Sequence, residues 1–252
     1  MISKARIKWI KSLEMRKYRL QHGAFVAEGP KLVGELLPRF APLYIAATKE
    51  WLDTNCQIAQ LSNCPIDEVS REELGRASLL KTPQNVLAVM PIPPARSFTP
   101  SPLHLYLALD GIQDPGNLGT ILRTTDWFGI RHILLSEGTA DVYSPKCVQS
   151  CMGALARVEV HYCNLPEILK EVKAPIFGTF LDGTNIYKEE LSPNGIIVMG
   201  NEGNGISKEV AKLVNRRLYV PNFPMGSLTT ESLNVAVATG IVCAEFRRRS
   251  LS

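Results

Sequence analysis

The sequence lacks any long apolar run. None of its apolar stretches reaches the roughly 18 to 20 residues that a transmembrane helix needs, so we do not expect the chain to span a membrane. Residues 1–20 are basic, but no apolar core follows the charges, so they do not fit a secretory signal. The expectation is a cytoplasmic protein, and 45% apolar with 21% charged residues is typical of a globular one.

Metal-ligand and glycine signatures are missing too. The six cysteines form no Cys-x-x-Cys pair and lie at no zinc-ligand spacing from the four histidines, which predicts no metal site and no disulfide framework. No Gly-Lys-Ser/Thr follows the glycines, which excludes a Walker loop. The first strand of the second half precedes no Gly-x-Gly-x-x-Gly, which argues against a dinucleotide-binding fold.

Positive charge is modest overall and concentrated near both ends. A formal net charge of +4 does not by itself indicate a nucleic-acid partner. Residues 1–20 hold seven lysines and arginines against the single acid Glu14, and Arg247, Arg248 and Arg249 lie near the other end. Two basic ends fit a polyphosphate partner. A solvated helix face and a cation-capped helix terminus would explain them equally well.

A proline-rich stretch divides the chain. Residues 91–102 read PIPPARSFTPSP and hold five prolines, which predicts an extended, semi-rigid linker. It separates a small α/β domain at 1–90 from a larger domain at 103–252. In the first domain we predict strands at Phe25–Gly29, Leu43–Ala47 and Val86–Met90, and helices at Lys31–Leu37, from Glu50 and at Val69–Leu80.

The second domain alternates between strand and helix patterns. Short unbroken apolar runs such as LYLALD and GIIVMG are typical of strands buried on both faces. The alternation predicts an α/β fold with a mostly parallel sheet, which binds ligands beyond the carboxyl ends of its strands. We predict strands at 105–109, 132–135, 157–161, 176–181, 196–199 and 218–220, and helices at 118–128, 145–155, 165–172, 207–214 and 231–249.

The first segment with chemical potential is 110–123, DGIQDPGNLGTILR, which leads from a strand into a helix. Asn117 is placed to cap this helix, and Arg123 points away from its apolar face. Taken singly, the asparagine is explained as an ordinary cap. The arginine is explained as a surface cation paired with Asp126.

Two later segments contain unusual polar residues. In Ile196–Gly205 a buried strand enters a glycine-rich loop, where Glu202 has no obvious helical partner. In Val220–Ala238 a strand leads through an extended loop into a helix whose first turn holds Ser232 and Asn234. Thr230 or Ser232 would be a simple cap, whereas asparagine is a poor helix residue without a partner. The predicted apolar stripe of this helix comprises Leu233, Val237, Ile241 and Ala244.

In this order and at these spacings, the three segments resemble the signature motifs of the SpoU (TrmH-type) RNA methyltransferases of the SPOUT superfamily. Asn117–Arg123 is similar to the first motif, Gly200–Gly205 to the second and Ser232–Val235 to the third, and the resemblance covers about 103–247. The stretch FVAEGPKLVGELL makes the first domain similar to the substrate-binding domain often fused ahead of this one.

This resemblance implies a fold and a function that the hydrophobic pattern of the sequence does not predict. It implies a C-terminal deep trefoil knot, whereas pattern alone predicts an unknotted Rossmann-like sheet. It also implies a homodimer with active sites at the subunit interface and S-adenosylmethionine bound by the knot loops. The implied reaction is metal-free methylation of a ribose 2′-hydroxyl in RNA, with ribosomal RNA favoured over transfer RNA.

Site residues carry over by motif position. The resemblance implies cofactor contacts at Thr179, Gly200, Val220 and Leu233, and a reaction site lined by Arg123, Asn117, Glu202, Ser232 and Asn234. The family's candidate for proton removal is Arg123, but a guanidinium is a poor base at neutral pH. Binding of an RNA phosphate or stabilisation of an alkoxide therefore stays open. The loop 221–231 is longer than the family's, so Met225 and Gly226 receive no role.

Two other functions compete with this interpretation. A non-catalytic RNA-binding protein could use the same fold, but the presence of Arg123, Glu202 and Asn234 argues against lost activity. A nicotinamide-dependent oxidoreductase is the default for an α/β chain with glycine loops, and the glycine spacing argues against it.

Overall fold

The computed structural model describes residues 1–56, 64–96, 98–224, 227 and 230–250. Met225 and Gly226 lie outside the described residues. The chain forms two compact units: Met1–Pro94 together with Asp141–Arg157, and Ala95–Ala140 together with Val158–Ser252. The return of 141–157 to the first unit was not part of the predicted division at the proline-rich stretch.

The helices are α1 Lys4–Ser12, α2 Arg16–His22, α3 Pro30–Leu36, α4 Lys49–Thr54, α5 Arg71–Ala77, α6 Pro115–Trp127, α7 Pro145–Ser150, α8 Leu165–Glu171, α9 Lys208–Ala211 and α10 Val235–Ser250. The strands are β1 Ala24–Glu28, β2 Tyr44–Ala47, β3 Ile66–Glu68, β4 Val86–Pro91, β5 Leu105–Asp110, β6 His132–Leu135, β7 Glu159–Tyr162, β8 Ile176–Asn185, β9 Gly195–Gly200 and β10 Arg216–Tyr219.

The first unit contains a four-stranded sheet in the order β1-β4-β2-β3. Strand β4 pairs antiparallel with both neighbours, and β2 pairs parallel with the short β3, which the sequence pattern did not predict. Two ion pairs hold 141–157 to this unit. Arg19, which is 3% exposed, contacts Asp141 at 2.6 Å, and Arg157 contacts Glu35 at 2.6 Å. Because no local pattern records such distant pairs, the sequence did not indicate this packing.

The second unit contains a six-stranded sheet in the order β10-β8-β9-β5-β6-β7, in which every pairing is parallel. Strand β5 is buried at every position, and β9 is buried except at its last residue, Gly200. The prediction of an α/β unit with a mostly parallel sheet of doubly buried strands is confirmed.

Several element boundaries differ from their predictions. The helix predicted at 145–155 ends at Ser150, because Met152 and Gly153 adopt left-handed backbone angles and a short 3-10 turn follows. The helix predicted at 207–214 is a single turn, Lys208–Ala211. The helix predicted from residue 231 begins at Val235, and residues 231–233 before it line a cavity.

No helix among the described residues combines the length and apolar character needed to cross a membrane.

Candidate active site

A cavity of about 520 Å³ lies at the carboxyl ends of β9 and β10 and against the middle of β8. Its lining comes from residues 179–181, 199–206, 218–220, 231–233, 235 and 238. The four residues expected to contact a cofactor, Thr179, Gly200, Val220 and Leu233, all line it. So do Glu202 and Ser232 from the expected reaction site.

The glycine-rich loop after β9 is a closed turn. The backbone amides of Asn201 and Gly205 each donate to the other's carbonyl at 2.9 Å. The Asn201 side-chain oxygen accepts from the amides of Gly203 and Asn204 at 2.9 Å, and its Nδ2 donates to the Gly111 carbonyl at 2.7 Å. A side chain at Gly200 would meet the Gly205 carbonyl carbon at 2.2 Å, so only glycine fits there.

The first helix of the site is capped by Asp114, which corrects the prediction that Asn117 caps it. The Asp114 carboxylate accepts from the Asn117 backbone amide at 2.8 Å, and Pro115 occupies the first turn, where no amide donor is needed. The side chain of Asn117 is therefore available for other contacts.

Asn117 connects the three predicted segments through its side-chain amide. Its Nδ2 donates to Oε1 of Glu202 at 2.9 Å, and its Oδ1 accepts from Nδ2 of Asn234 at 3.0 Å. These contacts join positions 85 and 117 residues apart along the chain. The structure thus brings together three of the five residues expected at the reaction site.

Asn234 also caps α10, which corrects the expectation of a cap at Thr230 or Ser232. Its Oδ1 accepts from the amides of Ala236 at 3.0 Å and Val237 at 3.3 Å. One amide side chain therefore fixes both the start of α10 and the link to Asn117. Ser232 does not cap the helix, and as an exposed residue it belongs to the cavity lining.

Arg123 is exposed and is not among the residues that line the cavity. Its side chain therefore lies outside the lining of the cavity of its own chain. Trp127, one turn further along α6, is 84% exposed. Arg123 and Trp127 therefore share an outward face of α6.

The predicted apolar stripe of the last helix is on the outside of α10, not in the core. Leu233 just before the helix is 49% exposed and Val237 is 54% exposed. The buried side consists of Val235, Ala236, Thr239, Val242, Cys243, Glu245 and Phe246. The stripe does follow a helical period. Because this helix carries apolar residues on both sides, the period alone could not identify which side is buried.

The end of α10 is fixed by an acid among its arginines. Arg248 donates to Glu245 at 2.7 Å and Arg249 donates to it at 2.9 Å, and these two contacts lower the pKa of the carboxyl to about 2. Arg249 also donates to the Tyr187 carbonyl at 2.7 Å, and Arg247 to the Phe128 carbonyl at 2.7 Å. All three arginines of this basic end therefore have structural partners.

Two positioning residues escaped the sequence analysis. Asp110 accepts from the Ser207 amide at 2.8 Å, and Asn201 holds the glycine loop by accepting from the amides of Gly203 and Asn204. Asp110 is the last residue of β5 and Asn201 directly follows β9, so both lie at the carboxyl ends of buried strands, a location that could have identified them.

Comparison with known proteins identifies relatives of both units. The profile of the SpoU rRNA Methylase family matches residues 104–244, and that of the MRM3-like substrate binding domain matches residues 4–88. The chain is 32% identical to the 23S rRNA (guanosine(2553)-2′-O)-methyltransferase RlmP of Bacillus subtilis, over 96% of each chain. A crystal structure of an AdoMet-bound rRNA methyltransferase from Sinorhizobium meliloti aligns with a TM-score of 0.88 and 26% identity, covering 100% of this chain and 97% of that one.

Proposed function

Because this chain belongs to the SpoU rRNA methylase family, we propose that it transfers the methyl group of S-adenosylmethionine to a ribose 2′-hydroxyl of ribosomal RNA. The observation that carries the proposal is the junction of Asn117, Glu202 and Asn234 beside the glycine-lined cavity. The Bacillus and Sinorhizobium relatives are named for ribosomal RNA, which favours it over transfer RNA.

The cavity fits S-adenosylmethionine in size and chemistry. Its volume of about 520 Å³ lies within the range of roughly 300–1,000 Å³ that is usual for cofactor sites. Apolar side chains of Met199, Val220 and Leu233 suit the adenine ring, and the loop backbone offers polar groups to its edge. The carboxylates of Glu202 and Glu231 lie in the same lining, where they would favour a cationic sulfonium.

The bound cosubstrate supplies an electrophilic methyl group, which the ribose oxygen must approach in line while losing its proton. Asn117 fixes Glu202 and Asn234 relative to each other, so we assign these residues to positioning the ribose. The exposed Ser232 hydroxyl would bind a ribose oxygen from the same lining. Arg123 would act by its charge, on an RNA phosphate or on the developing alkoxide, since a guanidinium keeps its proton. The reaction as proposed requires no metal.

A homodimer would cover two of the apolar surfaces that are exposed in the single chain. Val237 and Trp127 are large apolar side chains with more than half of their surface accessible. The occupant we propose is a second copy of this chain, packed on the outward faces of α6 and α10. Each Arg123 would then reach the cavity of the other subunit, because it lies outside the lining of its own. We further propose that the loops around the cavity form the deep trefoil knot implied by the sequence motifs.

The first unit would bind the RNA. Lys4, Lys8, Arg16 and Lys17 of α1 and α2 are exposed, whereas Arg19 of the same basic stretch is buried in its ion pair. Exposed cations on neighbouring helices suit phosphate contacts. The enzyme would act in the cytoplasm, as expected from the sequence.

Binding and transfer assays test this function. S-Adenosylmethionine should raise the melting temperature of the protein, and NADH should not. Labelled methyl groups should enter ribosomal RNA with the natural chain and not with Arg123→Ala. Cofactor binding without transfer would indicate a non-catalytic RNA-binding protein, and stabilisation by NADH alone would indicate an oxidoreductase.

A further inference from the structure

A cluster of metal-ligating side chains lies in the second unit, away from the proposed active site. It comprises His132 at the start of β6, and Glu159 and His161 on β7. Within the part of the chain that the structure describes, this is the one group of three such residues whose ligand atoms converge, all within 4.8 Å of one another. The strands of this sheet are parallel, so their amino-terminal ends all lie on one side of it and their carboxyl ends on the other. The first residues of β6 and β7 therefore lie on the side opposite the carboxyl end of β9 and the cavity.

Strand pairing explains the convergence. His132 and Glu159 are register partners in the parallel β6–β7 pair. Glu159 and His161 are two residues apart on one strand, so their side chains leave the same face of the sheet. No sequence pattern indicates this cluster, because the two histidines are separated by 29 positions and neither has a cysteine at zinc spacing.

The distances suit a small transition-metal ion. His132 Nδ1 lies 3.2 Å from His161 Nε2 and 3.8 Å from Glu159 Oε2. Around a tetrahedral Zn²⁺ with bonds of about 2.0–2.1 Å, neighbouring ligand atoms lie roughly 3.3 Å apart. Two imidazoles and one carboxylate form a donor set that Zn²⁺ uses, whereas Mg²⁺ and Ca²⁺ prefer oxygen.

Phe98 orients the two imidazoles before any metal binds. Its ring stacks on His161 with centroids 3.9 Å apart and planes at 18°, and on His132 at 4.9 Å and 29°. Stacking covers the ring faces and leaves the in-plane nitrogen lone pairs accessible. The side chains of His132 and Glu159 are 30% and 47% exposed, which provides a path of entry.

We propose that His132, Glu159 and His161 bind a divalent transition-metal ion, Zn²⁺ foremost, with solvent at the fourth position. The ion would join the edge strand β7 to β6 and stabilise this side of the sheet without taking part in methyl transfer. Binding requires both facing nitrogens, Nδ1 of His132 and Nε2 of His161, to be unprotonated, so the proton of their hydrogen bond would move through solvent to the far nitrogen of the same ring. This proposal contradicts the expectation of no metal from cysteine and histidine spacing, and it does not rest on the proposed function.

Zinc titration of the full-length chain, purified without a polyhistidine tag and stripped with a chelator, tests the proposal. We expect one Zn²⁺ per chain by calorimetry, and a melting temperature that rises by about 5 °C or more at a hundredfold excess over Kd. His161→Gln should lower the affinity at least about 100-fold, since even outer-shell changes cost 10- to 100-fold. Glu159→Gln should lower the Zn²⁺ affinity less than His161→Gln does. His132→Gln removes the other imidazole and should lower the affinity as His161→Gln does, which makes it an independent check.

His104→Gln is the matched control, because this histidine lies in the same unit but outside the cluster. It should bind Zn²⁺ like the natural chain. Co²⁺ is a second probe, and its spectrum should lack the thiolate charge-transfer band that ligation by Cys56 or Cys64 would produce. Absence of saturable binding, or binding unchanged in both His161→Gln and His132→Gln, would overturn the proposal and leave a histidine–histidine hydrogen bond only.

Discussion

Asn234 donates a hydrogen bond from its Nδ2 to Oδ1 of Asn117 at 3.0 Å, across 117 positions of the chain. The opposite end of the Asn117 amide donates to Glu202. An amide can do both because it carries a donor and an acceptor on one planar group. The direction of the two hydrogen bonds therefore leads to testable predictions for all three positions.

Reversing the donor at Asn117 tests its role as a positioning residue. Asn117→Asp places a carboxylate oxygen against Glu202, so it should lower kcat roughly 10- to 100-fold, corresponding to a charge-assisted hydrogen bond of about 1.5–3 kcal/mol. Adding Glu202→Gln restores the hydrogen bond in the opposite direction, because the new amide at position 202 can donate to the new carboxylate at position 117. Steady-state methyl transfer should then recover at least partly. If the double variant transfers methyl groups no faster than Asn117→Asp, the charge of Glu202 is itself required, and positioning by a hydrogen bond does not explain the role of this pair.

Two substitutions at Asn234 separate its two contacts. Asn234→Ala removes the cap of α10 and should lower the free energy of unfolding by about 1 kcal/mol. Asn234→Ser restores a capping oxygen but cannot reach Asn117 as the longer amide does. Chemical denaturation should therefore show near-natural stability for the serine variant, while methyl transfer stays low in both. Full activity of Asn234→Ser would mean that the helix cap is the only role of this residue.

Gly200→Ala tests the glycine loop as a binding element. A methyl group there would lie 2.2 Å from the Gly205 carbonyl carbon and 2.3 Å from the Ile206 amide nitrogen, so the loop must move. We expect calorimetry to show a loss of S-adenosylmethionine affinity of at least about tenfold, or roughly 1.4 kcal/mol. Gly138→Ala is the control, because its methyl group would meet nothing within 4 Å. Equal affinity of both variants would remove this loop from the cofactor site.

Mixing two inactive variants tests whether the site is shared between subunits. Arg123→Ala and Asn234→Ala should each be inactive alone. If Arg123 serves the neighbouring subunit, each heterodimer regains one intact site, and random mixing should restore about a quarter of natural activity in a twofold dimer. Activity that stays absent after subunit exchange, with heterodimers verified by mass spectrometry, would place Arg123 in the site of its own chain.

Much of the fold was predictable because it rests on local patterns. Alternating short apolar strands and helices predicted the parallel sheet, and its unbroken strands are buried as expected. Strand β3 was missed because only three residues pair. The packing of 141–157 on the first unit was missed because it depends on distant partners such as Arg19 and Asp141.

The site was predictable as a set of residues but not as an arrangement. The order and spacing of the motifs identified Asn117, Glu202 and Asn234, and in the structure hydrogen bonds connect these three residues. Their local roles were assigned wrongly, since Asp114 and not Asn117 caps α6, and Asn234 caps α10. A helix start has several residues able to cap it, and the path of the preceding loop decides which one does.

Product analysis tests the central claim most directly. Ribosomal RNA from a strain lacking this protein would be incubated with the chain and methyl-labelled S-adenosylmethionine, then digested to nucleosides and separated. The structure and the family predict label in a single 2′-O-methylnucleoside, and at equal incubation time Asn117→Asp should incorporate roughly 10- to 100-fold less of it. Label in a base-methylated nucleoside, or no label in ribosomal RNA, would contradict the account.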